Sequence, residues 1–350
     1  VTSIPVRSGS SSGRHGDDSE AWRLRPMIHF LIRRIGGSLL VLAAMSFIVY
    51  ALIGLMPGDP IDIMIASDPN LTPADGERLK HFYGLDLPIW ERYWNWLLAA
   101  FSGDFGFSRT YNQPVLDILA PRLGNTLILL GLSSLLAMVI ALPLGILAAV
   151  RPHSFTDNAV NLLCFAGISL PPFWLALLMI MLFAVGLGWL PAGGMGPLDE
   201  NDGFFARLEF LVLPVATLTI ASLASYTRFM RASMIEALRQ DYVRTAHAKG
   251  ASFRRVVIGH ALRNAMLPLV TIIALDFGQL FSGALITETM FGYLGMGKLI
   301  YDSILGNDFN LALVALLFAT LVVLVGNIFA DIGYAALDPR ISYRSLEESR

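Results

Sequence analysis

The chain has 350 residues, of which 55% are hydrophobic and 15% are charged, and its formal net charge is −2. Soluble domains carry about 25% charged residues, so this composition excludes an ordinary soluble domain and predicts an all-α polytopic membrane protein. The one cysteine, Cys164, lies in an apolar run, which excludes a disulfide framework or a cysteine-based metal site.

Six charge-poor stretches are long enough to cross a bilayer, which takes about 20 apolar residues per helix. A disordered tail is predicted before them at residues 1–27, which are rich in Ser, Gly and Asp, and a second short tail at 344–350. The predicted spans are residues 36–58, 124–150, 158–189, 210–232, 264–288 and 309–334.

The third and fourth spans need separate comment. Residues 158–198 carry no charge, but turn residues dominate after 190, so the stretch is predicted to be one helix with a kink at Pro171-Pro172. The fourth span is predicted to extend through Arg228 and Arg231, whose side chains would reach the membrane interface.

The placement of Lys and Arg predicts the orientation of these spans. Eighteen of the 25 Lys and Arg residues fall in the two termini and the loops at 151–157 and 228–263, whereas seven fall in the alternate loops. Six spans with both termini in the cytoplasm fit this asymmetry. The long external loop, residues 59–123, contains an aromatic stretch at 88–97, which predicts either a helix on the membrane surface or a small packed cap.

The most basic loop, with a helical region at residues 236–258, is predicted to hold a short helix that starts at Asp241 and ends near Gly250. An acidic residue is favourable at a helix N-terminus, and glycine takes the left-handed C-cap conformation without strain. Ala246 is predicted to share a small outward face with Gly250 that lies flat in a groove of a partner. The other interpretation of the bare segment is a surface helix whose basic residues face anionic lipid.

This segment resembles the cytoplasmic coupling loop of dipeptide and oligopeptide ABC importer permeases. The general signature is an acidic–Ala–Ala triplet followed by a glycine four residues after the second alanine. Here the triplet reads Arg244-Thr245-Ala246 and is followed by Gly250, so Arg244 replaces the acid and Thr245 the first alanine. The peptide-permease form continues, as here, with His260-Ala261-Leu262-Arg263-Asn264-Ala265-Met266-Leu267-Pro268.

Other stretches carry the same resemblance, in the form of the first (B-type) permease subunit, and together they cover residues 28–343, the predicted permease domain. One departure is Gly292-Tyr293-Leu294-Gly295, where the family usually has a proline before the glycine. The matching stretches are Leu55–Pro60, Tyr83–Leu85, Gly103–Ser108, Pro114-Val115, Arg122-Leu123, Thr126-Leu127, Thr287–Phe291 and Asp338–Arg340.

The resemblance implies a type I ABC importer permease fold and a set of partners. They are a second homologous permease, two cytoplasmic ATP-binding subunits that hold ATP and Mg²⁺, and a periplasmic or lipid-anchored substrate-binding protein. The chain itself would bind no cofactor, catalyse no reaction, contact membrane lipid and bind no nucleic acid. The resemblance also implies that the chain is a multi-pass protein of the prokaryotic inner membrane. Asp241, Arg244, Ala246 and Gly250 are the predicted ATPase-coupling residues.

Two acidic residues in or near the membrane are candidates for the translocation pathway. Asp276 lies mid-span, where a charge costs about 2.5–3.5 kcal/mol, and either lines the pathway, makes a polar contact between helices or stays protonated. Glu288, at the external end of the same span, either gates the pathway, binds the external protein or has no functional role.

Two other function classes fit less well. An ion-coupled secondary transporter is the main alternative, but that class usually shows several intramembrane ionisable groups. A membrane enzyme would need a nucleophile–base pair, and the sequence has no G-x-S-x-G and no zinc-ligand spacing. The G-x-x-x-x-G-K spacing at 292–298 is followed by Leu299 instead of the Ser or Thr that holds Mg²⁺, and no strand precedes it, so it predicts no nucleotide site.

Overall fold

The computed structural model describes residues 18–55, 72–82, 86–196 and 204–337. Within them the structure is helical apart from one short hairpin, Phe107–Ser108 paired antiparallel with Gln113–Pro114. The helices are α1 Asp18–Gly54, α2 Pro73–Phe82, α3 Ile89–Phe101, α4 Val115–Val150, α5 Phe155–Ser169, α6 Pro172–Met179, α7 Phe204–Leu238, α8 Asp241–Ala248, α9 Phe253–Val256, α10 Leu262–Met290, α11 Met296–Leu305 and α12 Phe309–Leu337.

Four described helices are long and apolar enough to cross a membrane, and a bent pair raises the number to five. The pair is α5 with α6 and its π-helical continuation Ile180–Gly186. The predicted fifth span falls on α10, of which several side chains lie outside the described part. The single helices that qualify are Ile32–Gly54, Val115–Val150, Arg207–Leu238 and Phe309–Phe329.

The first helix begins earlier than predicted. Residues 1–27 were expected to be a disordered tail, yet α1 starts at Asp18. The predicted C-terminal tail at 344–350 lies outside the described residues.

The predicted third span is broken, where one kinked helix over 158–189 was expected. Helix α5 ends at Ser169, α6 begins at Pro172, and the two axes meet at 101°. Leu170 is extended at φ −90° and ψ 122°, because a residue before proline is driven out of the helical region. The proline pair therefore marks the right position but produces a much sharper turn than a kink.

Helix α4 organises the rest of the structure through a core at each end. Near its start, where the β-hairpin lies, it packs against α10, α11 and α12 around Leu129, Tyr293 and Leu299. Near its end it packs against α7 and the segment that follows α7. These are called below the hairpin end and the coupling end. Small residues permit the close approach of α4 and α7, and a Cβ on Gly145 would lie 2.6 Å from the Cβ of Met230.

The hairpin end is closed by segments from both halves of the chain. Helix α3 packs on α1, with Tyr93 5.2 Å from Phe47 between ring centroids, and its other side is exposed. The hairpin docks on the turn before α12, where the Ser108 hydroxyl donates to Asp308 over 2.5 Å. The predicted aromatic segment is thus a helix attached to the first span.

Candidate coupling site

Helix α8, the predicted coupling helix, is a separate short helix between two long ones. It begins at Asp241, directly after the extended residue Gln240. Gly250 follows its end with φ +80°, the left-handed conformation predicted for a C-cap glycine. The Gly250 N–H donates to His247 O over 2.9 Å and the Ala251 N–H to Ala246 O over 3.1 Å. This pair of bonds is a Schellman motif, so the predicted glycine cap is confirmed.

The inner face of the coupling helix is seated on the chain's own core. Val243 and Ala246 are buried, and they belong to the core cluster that contains Met230 and Met234 of α7. The cluster also contains residues of α4, α9 and α10. The coupling helix itself contacts α9 and residues 257–261, so a displacement of it would reach the long helices through that segment.

The predicted shared outward face of Ala246 and Gly250 is wrong. Ala246 is 8% exposed and faces inward, whereas Gly250 is exposed, with no atom within 4 Å of the position of a Cβ. The helical periodicity places positions three and four apart on one side, but Gly250 lies beyond the helix end and its left-handed backbone redirects the chain.

The outward face of the coupling helix is polar and solvent-exposed. Asp241 and Arg244 form an ion pair of 3.5 Å with side-chain exposures of 95% and 78%. Such an exposed pair contributes little to stability, which leaves both groups free to meet a partner. Lys249, Arg254 and Arg255 are also exposed beside it, and His247 stacks on Phe253 at a centroid distance of 6.4 Å.

Sequence reasoning missed a buried ion pair close to this site. Asp157, 1% exposed, accepts hydrogen bonds from Arg231 Nε over 2.5 Å and Nη2 over 2.7 Å. Arg231 therefore pairs with a protein carboxylate instead of reaching for the membrane interface as predicted. The available signal was the sequence Ser154-Phe-Thr-Asp157, a capping-box pattern at the start of an apolar run, and the Ser154 hydroxyl does accept from the Asp157 N–H.

Glu288 lies at the hairpin end, in a closed polar cluster. It is 0% exposed, and its carboxylate accepts from the Thr126 hydroxyl over 2.5 Å and from the Lys298 N–H over 3.0 Å. The Thr126 hydroxyl in turn accepts from the Met296 N–H over 2.7 Å. Glu288 and Thr126 thus cap α11, and Glu288 does not face solvent in this structure.

The same cluster accounts for the sequence that resembles a P-loop. A P-loop uses the N–H groups at the start of a helix to hold phosphate, whereas here the Glu288 carboxylate occupies those groups. Lys298 Nζ is held by Asp302 over 2.8 Å. The neighbouring Tyr293 hydroxyl donates to Asn125 O, and burial, with a contribution from Glu288, raises the pKa of Tyr293 to about 12.

The second predicted pathway residue, Asp276, lies on α10, and its side chain is outside the described part of the structure. The helix backbone runs through this position without a break. Among the described residues, no group of three or more His, Cys, Asp or Glu side chains is placed to hold a metal ion.

Comparison with known proteins assigns the chain to a family. Residues 141–343 match the binding-protein-dependent transport system inner membrane component family. Residues 27–130 match the N-terminal region of such membrane components. The chain belongs to this family. It is a multi-pass membrane permease, and the coupling helix lies inside the first of the two matched regions.

Three relatives align with nearly the whole permease. It is 38% identical over 318 residues to the oligopeptide transport system permease protein AppB of Bacillus subtilis. It is 34% identical over 340 residues to the dipeptide transport system permease protein DppB of Escherichia coli K12, and 35% identical over 318 residues to the glutathione transport system permease protein GsiC of that strain. Each alignment covers 91% of this chain and 100% of the relative.

One solved structure shares the fold of the permease. A chain of the MetNI methionine ABC transporter in an inward-facing conformation superposes with a TM-score of 0.50 at 20% identity. The match covers 64% of the permease and 97% of that chain. This likeness establishes a type I ABC permease-like fold for the matched part.

Proposed function

We propose that the chain is one permease subunit of an ATP-driven importer for di- and oligopeptides or a related small solute. The named relatives transport oligopeptides, dipeptides and glutathione, and they align with the chain from end to end of their own sequences. A binding protein outside the membrane would deliver the substrate, as the family description implies. The pathway would form between this chain and a second homologous permease.

The proposed topology has six spans, with both termini and the coupling helix on the cytoplasmic side of a prokaryotic inner membrane. The asymmetry of Lys and Arg supports this orientation. The bent pair α5–α6 and helix α10 would supply the third and fifth spans. The hairpin end would then face outside, with α3 and the β-hairpin as part of the external face.

Two separate ATP-binding subunits would bind ATP and Mg²⁺ and dock on the coupling helices of the two permeases. The observation that carries this proposal is the construction of α8: a capped helix with a buried apolar face and an exposed polar face. Ala246 would act from inside by seating the helix on the core. Asp241, Arg244 and Gly250 would lie on the side that the ATPase approaches.

For the translocation pathway, Asp276 remains our candidate because of its mid-span position. Glu288 has a different placement from that expected of a pathway residue, because its carboxylate is enclosed and fully engaged. We therefore assign it to the closure of the hairpin end. Membrane lipid would cover part of the large apolar surface that the isolated chain exposes.

The coupling role is tested by substitutions at Gly250 in the reconstituted assembly. Gly250→Trp adds bulk on the exposed side and should abolish ATP-dependent peptide uptake while membrane insertion is retained. Gly250→Asn is the matched control, since asparagine tolerates the left-handed conformation and adds little bulk, and it should retain uptake. Normal uptake by Gly250→Trp would remove the coupling role from this helix.

The energy source is tested separately. Purified chain should carry a nucleotide-binding protein with it, and mass spectrometry of the purified assembly should identify a bound peptide or related solute. An ion-coupled transporter would instead keep transporting after ATP depletion while an ion gradient is held. That result would overturn the proposed function.

A further inference from the structure

The buried ion pair between Asp157 and Arg231 joins α5 to α7, two helices that also contact each other through other residues. The Asp157 carboxylate receives, besides the two Arg231 bonds, the His153 N–H over 2.8 Å and Asn161 Nδ2 over 2.8 Å. Every donor that reaches it is thus supplied by the loop before α5, by α5 itself or by Arg231. A buried carboxylate with a bidentate arginine is geometrically specific and holds its partners in one arrangement.

Helix α5 buries few of its side chains. Only Asp157, Val160 and Cys164 are buried among its 15 residues. The apolar cluster that α5 shares with α4 and α7 is small, and contains Ala148, Val160, Cys164 and Ala224. A cleft opens between α5 and α7, lined by Asn161, Ser225, Arg228, Phe229, Arg231 and Ala232. Asp157 therefore makes the principal polar attachment of this helix to α7.

Arg231, the partner on α7 in this attachment, lies next to the core cluster that contains the buried residues of the coupling helix. Arg231 follows Met230, which is fully buried and belongs to the core cluster that also contains Val243 and Ala246. Gly145 of α4 admits Met230 so closely that an added Cβ would lie 3.1 Å from the Arg231 backbone nitrogen. At this level α4 and α7 form one tightly packed unit, to which α5 is attached through Arg231.

We propose that the Asp157–Arg231 ion pair transmits movement of the coupling helix to the broken third span. Displacement of α8 passes through residues 257–261, which contact both α8 and α7, to the core cluster around Met230, and Arg231 carries the shift to the start of α5. Helix α5 responds as a lever because it is joined to α6 at a 101° break instead of a continuous helix. Asp157 and Arg231 are thus positioning residues. This inference rests on the proposed function, since it requires an ATPase acting at α8.

The test compares single and double substitutions in the complete assembly reconstituted in vesicles. Asp157→Asn and Arg231→Gln each remove the ion pair, and the double variant removes both charges. Asp302→Asn is the control, because it breaks an ion pair with Lys298 at the opposite end of the molecule. Three quantities are measured: recovery of the nucleotide-binding partner on purification, ATP hydrolysis, and peptide uptake per ATP hydrolysed.

The expected result separates coupling from folding. Both single variants should assemble and hydrolyse ATP, but their uptake per ATP should fall about tenfold, the range of a typical coupling between sites. The double variant should be no worse than either single one, because both substitutions interrupt the same link. Asp302→Asn should keep the wild-type ratio.

Two outcomes overturn the proposal. Unchanged uptake per ATP in Asp157→Asn and Arg231→Gln would show that the pair transmits nothing. Failure of both variants to assemble would assign the pair to folding alone. Failure of the proposed function is recognised separately, because the wild-type assembly would then show no ATP-dependent uptake at all.

Discussion

Replacement of Glu288 by glutamine should destabilise the hairpin end of the permease. In the structure, Thr126 accepts from the Met296 N–H and Glu288 from the Lys298 N–H at the start of α11, and the Leu299 N–H donates to Gly295 O. The amide of glutamine keeps one acceptor oxygen but turns the other acceptor into a donor. At least one donor of α11 or the Thr126 hydroxyl is then left without a partner in a fully buried site.

The size of the effect follows from these contacts. Each buried donor left unpaired costs about 1–3 kcal/mol, and the lost charge at a helix N-terminus adds about 0.3–1 kcal/mol. Glu288→Gln should therefore cost about 2–5 kcal/mol. The glutamine side chain has no room to move away, because Gly295 lies so close to the carboxylate that a Cβ there would be 2.1 Å from Glu288 Oε1.

The assay is thermal unfolding of the purified permease in detergent. At roughly 2–4 °C per kcal/mol, the value for chains of 150–250 residues, the midpoint should fall by at least several degrees. Glu91→Gln is the control, since Glu91 is exposed on α3, and it should leave the midpoint unchanged. A Glu288→Gln midpoint equal to the wild-type value would refute the role of Glu288 as the cap of α11.

Two further predictions concern packing and pH. Gly145→Ala should lower the free energy of unfolding by about 1–3 kcal/mol through overpacking, because the added methyl would meet Met230. Gly131→Ala on the same helix meets no atom within 4 Å and should be neutral or stabilising. Denaturation of both proteins in detergent measures the two effects. Because the pKa of Tyr293 is raised, its contribution to stability is complete below pH 10 and should be lost as the pH rises through about 12. The melting temperature of Tyr293→Phe should therefore fall less steeply over this pH window than that of the wild type. An equal fall would contradict the prediction.

Local sequence patterns were sufficient for the position and ends of the coupling helix. Asp241 at its start and Gly250 after its end act on backbone groups within one turn, so the residues themselves decide where the helix begins and stops. The proline pair marked the break in the third span for the same reason. The 101° angle depends on what α5 and α6 pack against, which no local rule contains.

Contacts between distant residues were not accessible from the sequence. Asp157 and Arg231 are 74 residues apart, and Thr126 and Glu288 are 162 apart. Considered one at a time, these residues led to other predictions: Arg231 was expected at the membrane interface and Glu288 on the translocation pathway. Their actual positions follow from the partners that the fold brings to them, since a buried charge must be paired or hydrogen-bonded.

What the sequence determined by itself was the class of molecule and the family: long apolar helices, a basic loop with a capped helix, and motifs spread over most of the chain. The tertiary structure decided which side of that helix is available to a partner. Ala246 faces the core and Asp241 and Arg244 face out, because Val243 and Ala246 join the apolar cluster to which α4, α7 and α10 also contribute. An amphipathic pattern on eight residues is too short to specify that contact.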